Sequence, residues 1–139
     1  MAPGLERFVE AQRPVYDQAL AELRAGAKRS HWMWYIFPQI AGLGRSPTAR
    51  FYAIADAVEA NAYLMHEVLG ARLRECTAAM LDWTGRRSAE AILGPVDALK
   101  FVSSMTLFDA IAAERDDMFA RALAAFNHGA RDPLTLERL

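Results

Sequence analysis

The chain has 139 residues, of which 53% are hydrophobic and 24% are charged. These values are typical of one ordered globular domain and exclude a disordered protein. The formal net charge of −1 provides no general attraction for nucleic acid or anionic lipid, since such binding needs clustered positive charge. We therefore expect a single domain over residues 1–139, with no membrane association, and we disfavour nucleic acid as a partner.

The first residues and the single cysteine bear on the compartment. Residues 1–12 are amphipathic and carry charge, so they lack the apolar stretch of a secretory signal. No uninterrupted apolar run in the sequence approaches the roughly 20 residues that are needed to span a bilayer. Cys76 is the only cysteine and cannot form an internal disulfide. A cytoplasmic protein is the simplest interpretation.

Apolar residues recur at helical spacing along most of the chain, and cap and breaker residues mark the predicted helix ends. A first helix from Leu5 is interrupted by Pro14, which suits the first turn of a second helix that ends at Gly26. Ser46 followed by Pro47 indicates a helix start, because serine can cap a free amide and the fixed φ of proline suits the first helical position.

The second half of the chain continues the helical pattern. Asp56 and Glu59 resemble a capping box, and residues 69–83 have the spacing of one buried helical face. A further helix is predicted over residues 116–127, and a last short helix begins at Asp132.

Residues 95–112 are predicted to form a helix that packs into the core. The spacing predicts that one set of its apolar side chains faces the interior: Leu99, Val102, Met105, Phe108 and Ala112. Together the elements predict an all-α fold, a compact single-domain bundle of about six to eight short helices with a buried aromatic central segment.

That aromatic segment, Ser30 to Ser46, reads SHWMWYIFPQIAGLGRS. Large side chains follow one another without a polar break from His31 to Phe37, which is wider than any single helical stripe. A strand is an alternative for this run, but we favour a helix or an irregular buried segment because a lone strand has no partner for its backbone. Either the segment is core with its polar tips satisfied, or Trp32 and Trp34 form an aromatic wall for a flat ligand such as a base.

The end of the segment combines features that suit an anion. Gly42, Gly44, Arg45 and Ser46 immediately precede a predicted helix N-terminus, where backbone amides favour negative charge. The guanidinium of Arg45 could add a bidentate donor for phosphate or carboxylate. The pattern is neither a P-loop nor a dinucleotide fingerprint.

A second group of polar residues interrupts an apolar stretch. If residues 99–108 are helical, Lys100 lies one turn from Ser103 and Ser104, so that three polar tips cluster. Lys100 then either extends to water along an apolar surface or contacts an anionic ligand supported by the two hydroxyls. A Ser–Lys nucleophilic pair is not established by spacing alone.

Histidine spacing indicates no metal site and no metal cofactor, because the three histidines are scattered and form no HExxH or Cys/His motif. His31 is the one candidate for catalysis, since imidazole titrates near neutrality and this residue adjoins the aromatic wall. Gln39 closes the same segment and is a candidate ligand contact. We predict no organic cofactor.

Five stretches resemble domain-of-unknown-function family 1810: residues 5–23, 28–39, 42–54, 68–76 and 99–108, which include KRSHWMWYIFPQ and LKFVSSMTLF. The resemblance spans nearly the whole chain and implies a mainly helical fold, but it supplies no catalytic residues. Val102 departs from the family pattern, which usually has arginine there. The calpastatin label that some members carry fits poorly, because calpastatin is disordered and this composition is typical of an ordered core.

Two hypotheses of function follow. In the first, the protein is a small enzyme or sensor that binds an anionic aromatic metabolite, such as a nucleotide or an ADP-ribose derivative. The ligand would lie between the Trp32 and Trp34 wall, Arg45 and Lys100, with His31 able to transfer a proton. The alternative is a non-catalytic helical protein-interaction module, in which the aromatic segment is only core. The sequence does not indicate an oligomeric state.

Overall fold

The computed structural model describes residues 4–112 and 116–139 of the chain. Over these residues it contains ten α-helices and no strand, which confirms the all-α prediction. None of the described helices combines the length and the apolar character needed to cross a membrane. The helices are α1 (Glu6–Gln12), α2 (Tyr16–Ala25), α3 (Met33–Ile36), α4 (Pro47–Phe51), α5 (Ala57–Met65), α6 (Leu69–Leu81), α7 (Ala89–Leu93), α8 (Pro95–Ala112), α9 (Met118–Asn127) and α10 (Pro133–Glu137).

Several helix ends form where the sequence supplies a cap. Gly26 ends α2 with a φ of 73°, a left-handed conformation that glycine adopts without steric cost. The Ser46 hydroxyl accepts a hydrogen bond of 3.0 Å from the amide of Ala49 in α4. The Asp56 carboxylate accepts one of 2.9 Å from the amide of Glu59 in α5. These predicted starts and stops are therefore confirmed.

The buried face of α8 agrees with the predicted one only in part. This helix packs against α5, α7, α9 and α10, and its buried side chains include Phe101, Ser104, Met105, Phe108 and Ala112. Leu99, predicted to face the interior, is instead 71% exposed. Met105, Phe108 and Ala112 are buried as predicted, and the prediction was wrong for Leu99. Ser104 is completely buried instead, so a polar residue lies in the interior stripe. A search for apolar spacing passes over a buried serine, so it did not identify the full buried face of the helix.

The aromatic segment contacts the core on one side and solvent on the other. Trp32 and Phe37 are buried, and the Phe37 ring packs edge to face against Phe101 of α8 with 5.0 Å between ring centroids. Trp34 is half-buried and His31 is exposed. The core interpretation therefore describes part of the segment, and the side chains at its edge face solvent.

Arg7 holds the chain between α4 and α5 against this segment. Its guanidinium donates hydrogen bonds of 2.7 Å to the carbonyl oxygens of Phe51 and Ala53. The following residue, Ile54, donates its amide to the Gln39 carbonyl at 2.8 Å. Because Arg7 is itself buried, its hydrogen bonds hold the chain that contains Ile54 in place. The bond from Ile54 then fixes the backbone position of Gln39.

Candidate functional site

Glu22 of α2 organises the chain that leads into the aromatic segment. Its carboxylate accepts hydrogen bonds from the backbone amides of Arg29 and Ser30 at 2.8 and 3.1 Å and from the Trp32 indole nitrogen at 2.9 Å. The Ser30 hydroxyl and the Gln18 amide donate to its other oxygen. The indole of Trp32 therefore points inward, with its nitrogen satisfied by a buried acceptor.

The same contacts keep Glu22 ionised. Burial by itself raises the pKa of this carboxyl, but the donors from Ser30, Arg29, Gln18 and Trp32 outweigh it and lower the pKa to about 2. Hydrogen bonds to the charged form favour that form. Glu22 is thus a buried carboxylate that is stabilised by hydrogen-bond donors.

Asp97, in the first turn of α8, joins the two lysines of the chain. It accepts Lys28 Nζ on Oδ2 at 2.9 Å and Lys100 Nζ on Oδ1 at 3.2 Å, and no other lysine is present in the sequence. Burial raises the pKa of Asp97, but the two ammonium groups outweigh it and the pKa is lowered. Two ammonium groups against one carboxylate leave a local excess of positive charge.

Each ammonium group also lies over an indole ring. Lys28 Nζ is 5.1 Å from the Trp32 ring centroid, and Lys100 Nζ is 4.1 Å from that of Trp34. Both distances are within the range of cation–π attraction. Because Trp34 is only half-buried, an indole and an ammonium group are presented together at the surface.

These side chains line a depression that we name the first cleft, with a volume of about 310 Å³. Its walls include Lys28, His31, Trp32, Trp34, Asp97 and Lys100. The volume is at the lower end of the roughly 300–1,000 Å³ that is usual for small-molecule sites. The first cleft therefore suits a compact ligand that carries negative charge.

A larger depression of about 470 Å³, which we name the second cleft, lies between the chain after α3, α8 and the start of α10. Its walls include Gln39, Leu99, Lys100, Ser103, Asp132 and Leu134. The full lining combines five apolar residues with six polar or charged ones, among them Arg131, so it offers a ligand both apolar surface and hydrogen-bonding groups.

Asp132 is the main polar group of the second cleft. Its Oδ2 accepts hydrogen bonds from the hydroxyls of Ser103 at 3.0 Å and Thr135 at 2.5 Å. Among the described residues no cation pairs with Asp132. The neighbouring Arg131 forms its ion pair with Asp109 instead, at 3.0 Å. The carboxylate therefore has capacity to accept further hydrogen bonds.

Two buried polar atoms have no hydrogen-bond partner within the described chain, the amide nitrogen of Gln39 and the hydroxyl of Ser104. Gln39 is only 9% exposed and lines the second cleft. A buried donor without an acceptor is unfavourable and calls for an explanation. Because Gln39 forms part of the wall of the second cleft, a ligand acceptor bound there would provide one.

The predicted site residues fall into two groups that share one member. His31, Trp32, Trp34 and Lys100 line the first cleft, whereas Gln39, Lys100 and Ser103 line the second. The remaining predicted ligand residues line neither cleft: Gly42, Gly44, Arg45, Ser46 and Ser104. Lys100 is the point at which the two clefts meet.

The predicted anion turn has local structural roles. A side chain at Gly42, where φ is 99°, would collide with the guanidinium of Arg138, and one at Gly44 would collide with the methyl group of Ala49. Ser46 caps α4, and Arg45 is exposed. The two glycines therefore allow close packing of the turn.

Sequence reasoning did not assign Glu22, Asp97 or Asp132 to the site. Asp97 and Lys100 stand three residues apart on one helix, a spacing that could have indicated their ion pair. Asp132 was predicted only as a helix start, and its contact with Ser103, 29 residues away, depends on the fold. The donors to Glu22 from Arg29, Ser30 and Trp32 depend on the path of the chain after α2. Within the part of the chain that the structure describes, no three His, Cys, Asp or Glu side chains are grouped to hold a metal ion.

A protein-family model described as "Protein of unknown function (DUF1810)" matches residues 2–139. The chain is similar to a solved structure, the conserved hypothetical protein Rv1873 from Mycobacterium tuberculosis, with 50% sequence identity and a TM-score of 0.93. The similarity covers 97% of this chain and 95% of that chain. A comparison with curated proteins found no match. In agreement with its sequence motifs, the chain belongs to the DUF1810 family of proteins of unknown function.

Proposed function

We propose that the protein binds a small anionic metabolite, such as a nucleotide or an ADP-ribose derivative, with the flat aromatic group of the ligand in the first cleft. The observation that carries the proposal is the position of Lys100, whose ammonium group lies 4.1 Å from the centroid of the half-buried Trp34 ring. An anion can pair with the ammonium while a flat group contacts the adjacent indole.

The arrangement of charge supports the same proposal. Lys28 and Lys100 are held by one carboxylate, Asp97, so the positive charge of the first cleft is not fully neutralised. Both lysine side chains are mostly buried, at 10% and 23% exposure, and partial burial strengthens an ion pair with a ligand relative to bulk water. A cytoplasmic location, where such metabolites are abundant, is part of this proposal.

His31 extends the proposal to catalysis. Its side chain is exposed and lines the first cleft beside Lys100, where it could exchange a proton with a bound ligand. The variant His31→Asn distinguishes an enzyme from a sensor. In an enzyme, ligand affinity is retained and turnover falls by about a hundredfold or more; in a sensor, binding is unchanged and there is no turnover to lose.

Binding is tested with a thermal-shift screen of nucleotides, sugar phosphates and acyl compounds. A ligand at 100 times its dissociation constant stabilises the native state by about 2.7 kcal/mol. We expect Lys100→Met to weaken binding at least about tenfold, since it removes a charged hydrogen-bond donor. Arg86→Met is the matched control, because Arg86 forms a similar cation–indole contact with Trp83 at 4.5 Å and lines neither cleft.

A direct readout uses the two lysines. After reductive ¹³C-methylation, which retains the positive charge, the side-chain spectrum contains signals from Lys28 and Lys100 only, besides the terminal amine. Both are expected to shift on ligand addition. A ligand that stabilises the protein without shifting either signal binds elsewhere, and the proposed site is then wrong.

The second candidate function, a protein-interaction module, is favoured by apolar side chains at the surface. Val96 and Leu99 in the first turns of α8 are 65% and 71% exposed, and exposed apolar groups near a cleft are typical of interaction sites. Reproducible absence of a thermal shift across the ligand screen would support this function over metabolite binding.

A further inference from the structure

The first and second clefts are adjacent because both include the first half of α8. Asp97 and Lys100 face the first cleft, whereas Leu99, Lys100 and Ser103 face the second. Lys100 thus belongs to both walls. A ligand whose anionic group pairs with Lys100 has room to extend from one cleft into the other.

The polar groups of the second cleft suit a different part of a ligand. Its carboxylate, Asp132, has no cation partner among the described residues and would repel a phosphate placed beside it. Arg131 also lines this cleft, but its charge is paired with Asp109 at 3.0 Å. A carboxylate instead accepts hydrogen bonds from hydroxyl groups, and Oδ1 of Asp132 accepts none from the described residues, since Ser103 and Thr135 both donate to Oδ2. The second cleft therefore favours an uncharged group with O–H donors.

Gln39 provides a hydrogen-bond donor to complement the acceptor of Asp132. Its buried amide nitrogen is a donor without an acceptor, and a hydroxyl group can accept from it while donating to a carboxylate. Leu99 and Leu134 line the same cleft and provide apolar surface, being 71% and 58% exposed. A sugar ring combines hydroxyl edges with apolar C–H faces, so it matches this lining.

We infer that the second cleft is a subsite for an uncharged, hydroxylated group, such as a pentose, that is joined through phosphate at Lys100 to the aromatic group in the first cleft. The inference rests on the proposed function, because it assigns the phosphate to Lys100. The ligand would then be a nucleoside diphosphate attached to a sugar, and the second cleft would select for the sugar.

The test compares ligands that differ by that sugar. ADP and ADP-ribose form one pair, and UDP and UDP-glucose form a second pair with a pyrimidine base and a hexose. By isothermal titration calorimetry, the extended member of at least one pair is expected to bind about tenfold tighter, as two hydrogen bonds to a charged and a buried group would provide.

The variant Asp132→Asn removes the charge but keeps an oxygen that can accept from Ser103 and Thr135. It is expected to reduce the tenfold advantage of the extended ligand to about threefold or less, since the hydrogen bond to Gln39 remains, and to change the affinity for the diphosphate less than twofold. Ser88→Ala is the control: it removes the hydroxyl that caps α7, at a cost of about 1 kcal/mol in stability, and is remote from the sugar.

The outcomes separate the two proposals. If the diphosphates bind and Lys100→Met weakens them, but the sugar adds no affinity in either pair, the subsite is rejected and the proposed function remains. If the sugar adds affinity that Asp132→Asn leaves intact, the sugar lies outside the second cleft and the inference is wrong. If no member of either pair binds, the nucleotide proposal and the subsite are rejected together.

Discussion

Glu22 illustrates how a single buried carboxylate can determine the shape of a cleft that it does not line. Most of its hydrogen-bond donors come from the chain between α2 and α3, including the indole nitrogen of Trp32, and Gln18 of α2 provides one more. The cost of burying its charge is offset by these donors, since hydrogen bonds to charged groups are among the stronger ones in proteins. The wall of the first cleft therefore depends on a residue in a different helix.

We expect Glu22→Gln to destabilise the protein by roughly 2–3 kcal/mol, because an amide NH₂ would face groups that are themselves donors. The pH dependence has a definite sign. The folded pKa of Glu22 is about 2 and its ordinary value is 4.5, so its contribution is present above pH 4.5 and is lost as the pH falls toward 2. Urea denaturation between pH 2 and pH 6 measures both effects.

Glu10→Gln is the control for this prediction. Glu10 pairs with Arg13 at the surface, and its side chain is 59% exposed, so its loss is expected to change stability by less than about 0.5 kcal/mol. If Glu22→Gln shows the same dependence on pH as the unmodified protein, Glu22 is not the group that titrates.

Two buried glutamines form a matched pair. Gln12 donates to the Tyr35 carbonyl at 2.7 Å and to the Tyr63 hydroxyl at 3.0 Å, whereas the Gln39 amide nitrogen has no partner in the described chain. We expect Gln12→Met to lower the free energy of unfolding by about 1–3 kcal/mol and Gln39→Met to leave it unchanged or raise it. Thermal melting of both variants decides this, and equal losses would indicate that Gln39 is bonded within the apo protein.

At the scale of the helices, local chemistry was readable from the sequence and lateral packing was not. The caps at Ser46 and Asp56 formed as predicted because their contacts lie within three residues. The buried stripe of α8 was misplaced at Leu99 because it depends on which neighbours surround the helix. A period of 3.6 residues predicts a helix, but more than one apolar stripe can be drawn along α8, because its polar residues are spread around the helix.

Gly70, at the start of α6, provides a prediction in which two effects oppose each other. Alanine has a higher helix propensity than glycine, by about 1 kcal/mol, but a Cβ at position 70 would collide with the carbonyl oxygen of Leu64 in α5. The carbonyl belongs to the backbone and cannot move aside without separating the helices, so we expect Gly70→Ala to destabilise by about 2 kcal/mol or more.

Chemical denaturation measures that loss against Ala71→Gly. Ala71 is the exposed neighbour of Gly70 in the same turn, and its replacement should cost only the propensity difference of about 1 kcal/mol. A Gly70→Ala variant that is more stable than the unmodified chain would show that α5 and α6 can separate at little cost.

At the scale of the whole molecule, the clefts are assembled from distant parts of the sequence. The aromatic segment drew attention to His31 and Trp34, because consecutive large side chains are visible in one window. The groups that give the clefts their charge, Lys28, Asp97 and Asp132, each come from a different element. Their convergence is a property of tertiary packing, so the sequence alone indicated the aromatic residues and Lys100 but not the three charged groups around them.

The scarcity of lysine has a consequence for measuring motion. A protease that cleaves only after lysine has two sites in the chain, Lys28 and Lys100, and both side chains are held by Asp97. Proteolysis of a native protein requires local opening, so cutting by such an enzyme reports how often the cleft comes apart. We expect slow cleavage of the native protein, faster cleavage of Asp97→Asn, and protection by any ligand that bridges the two ammonium groups.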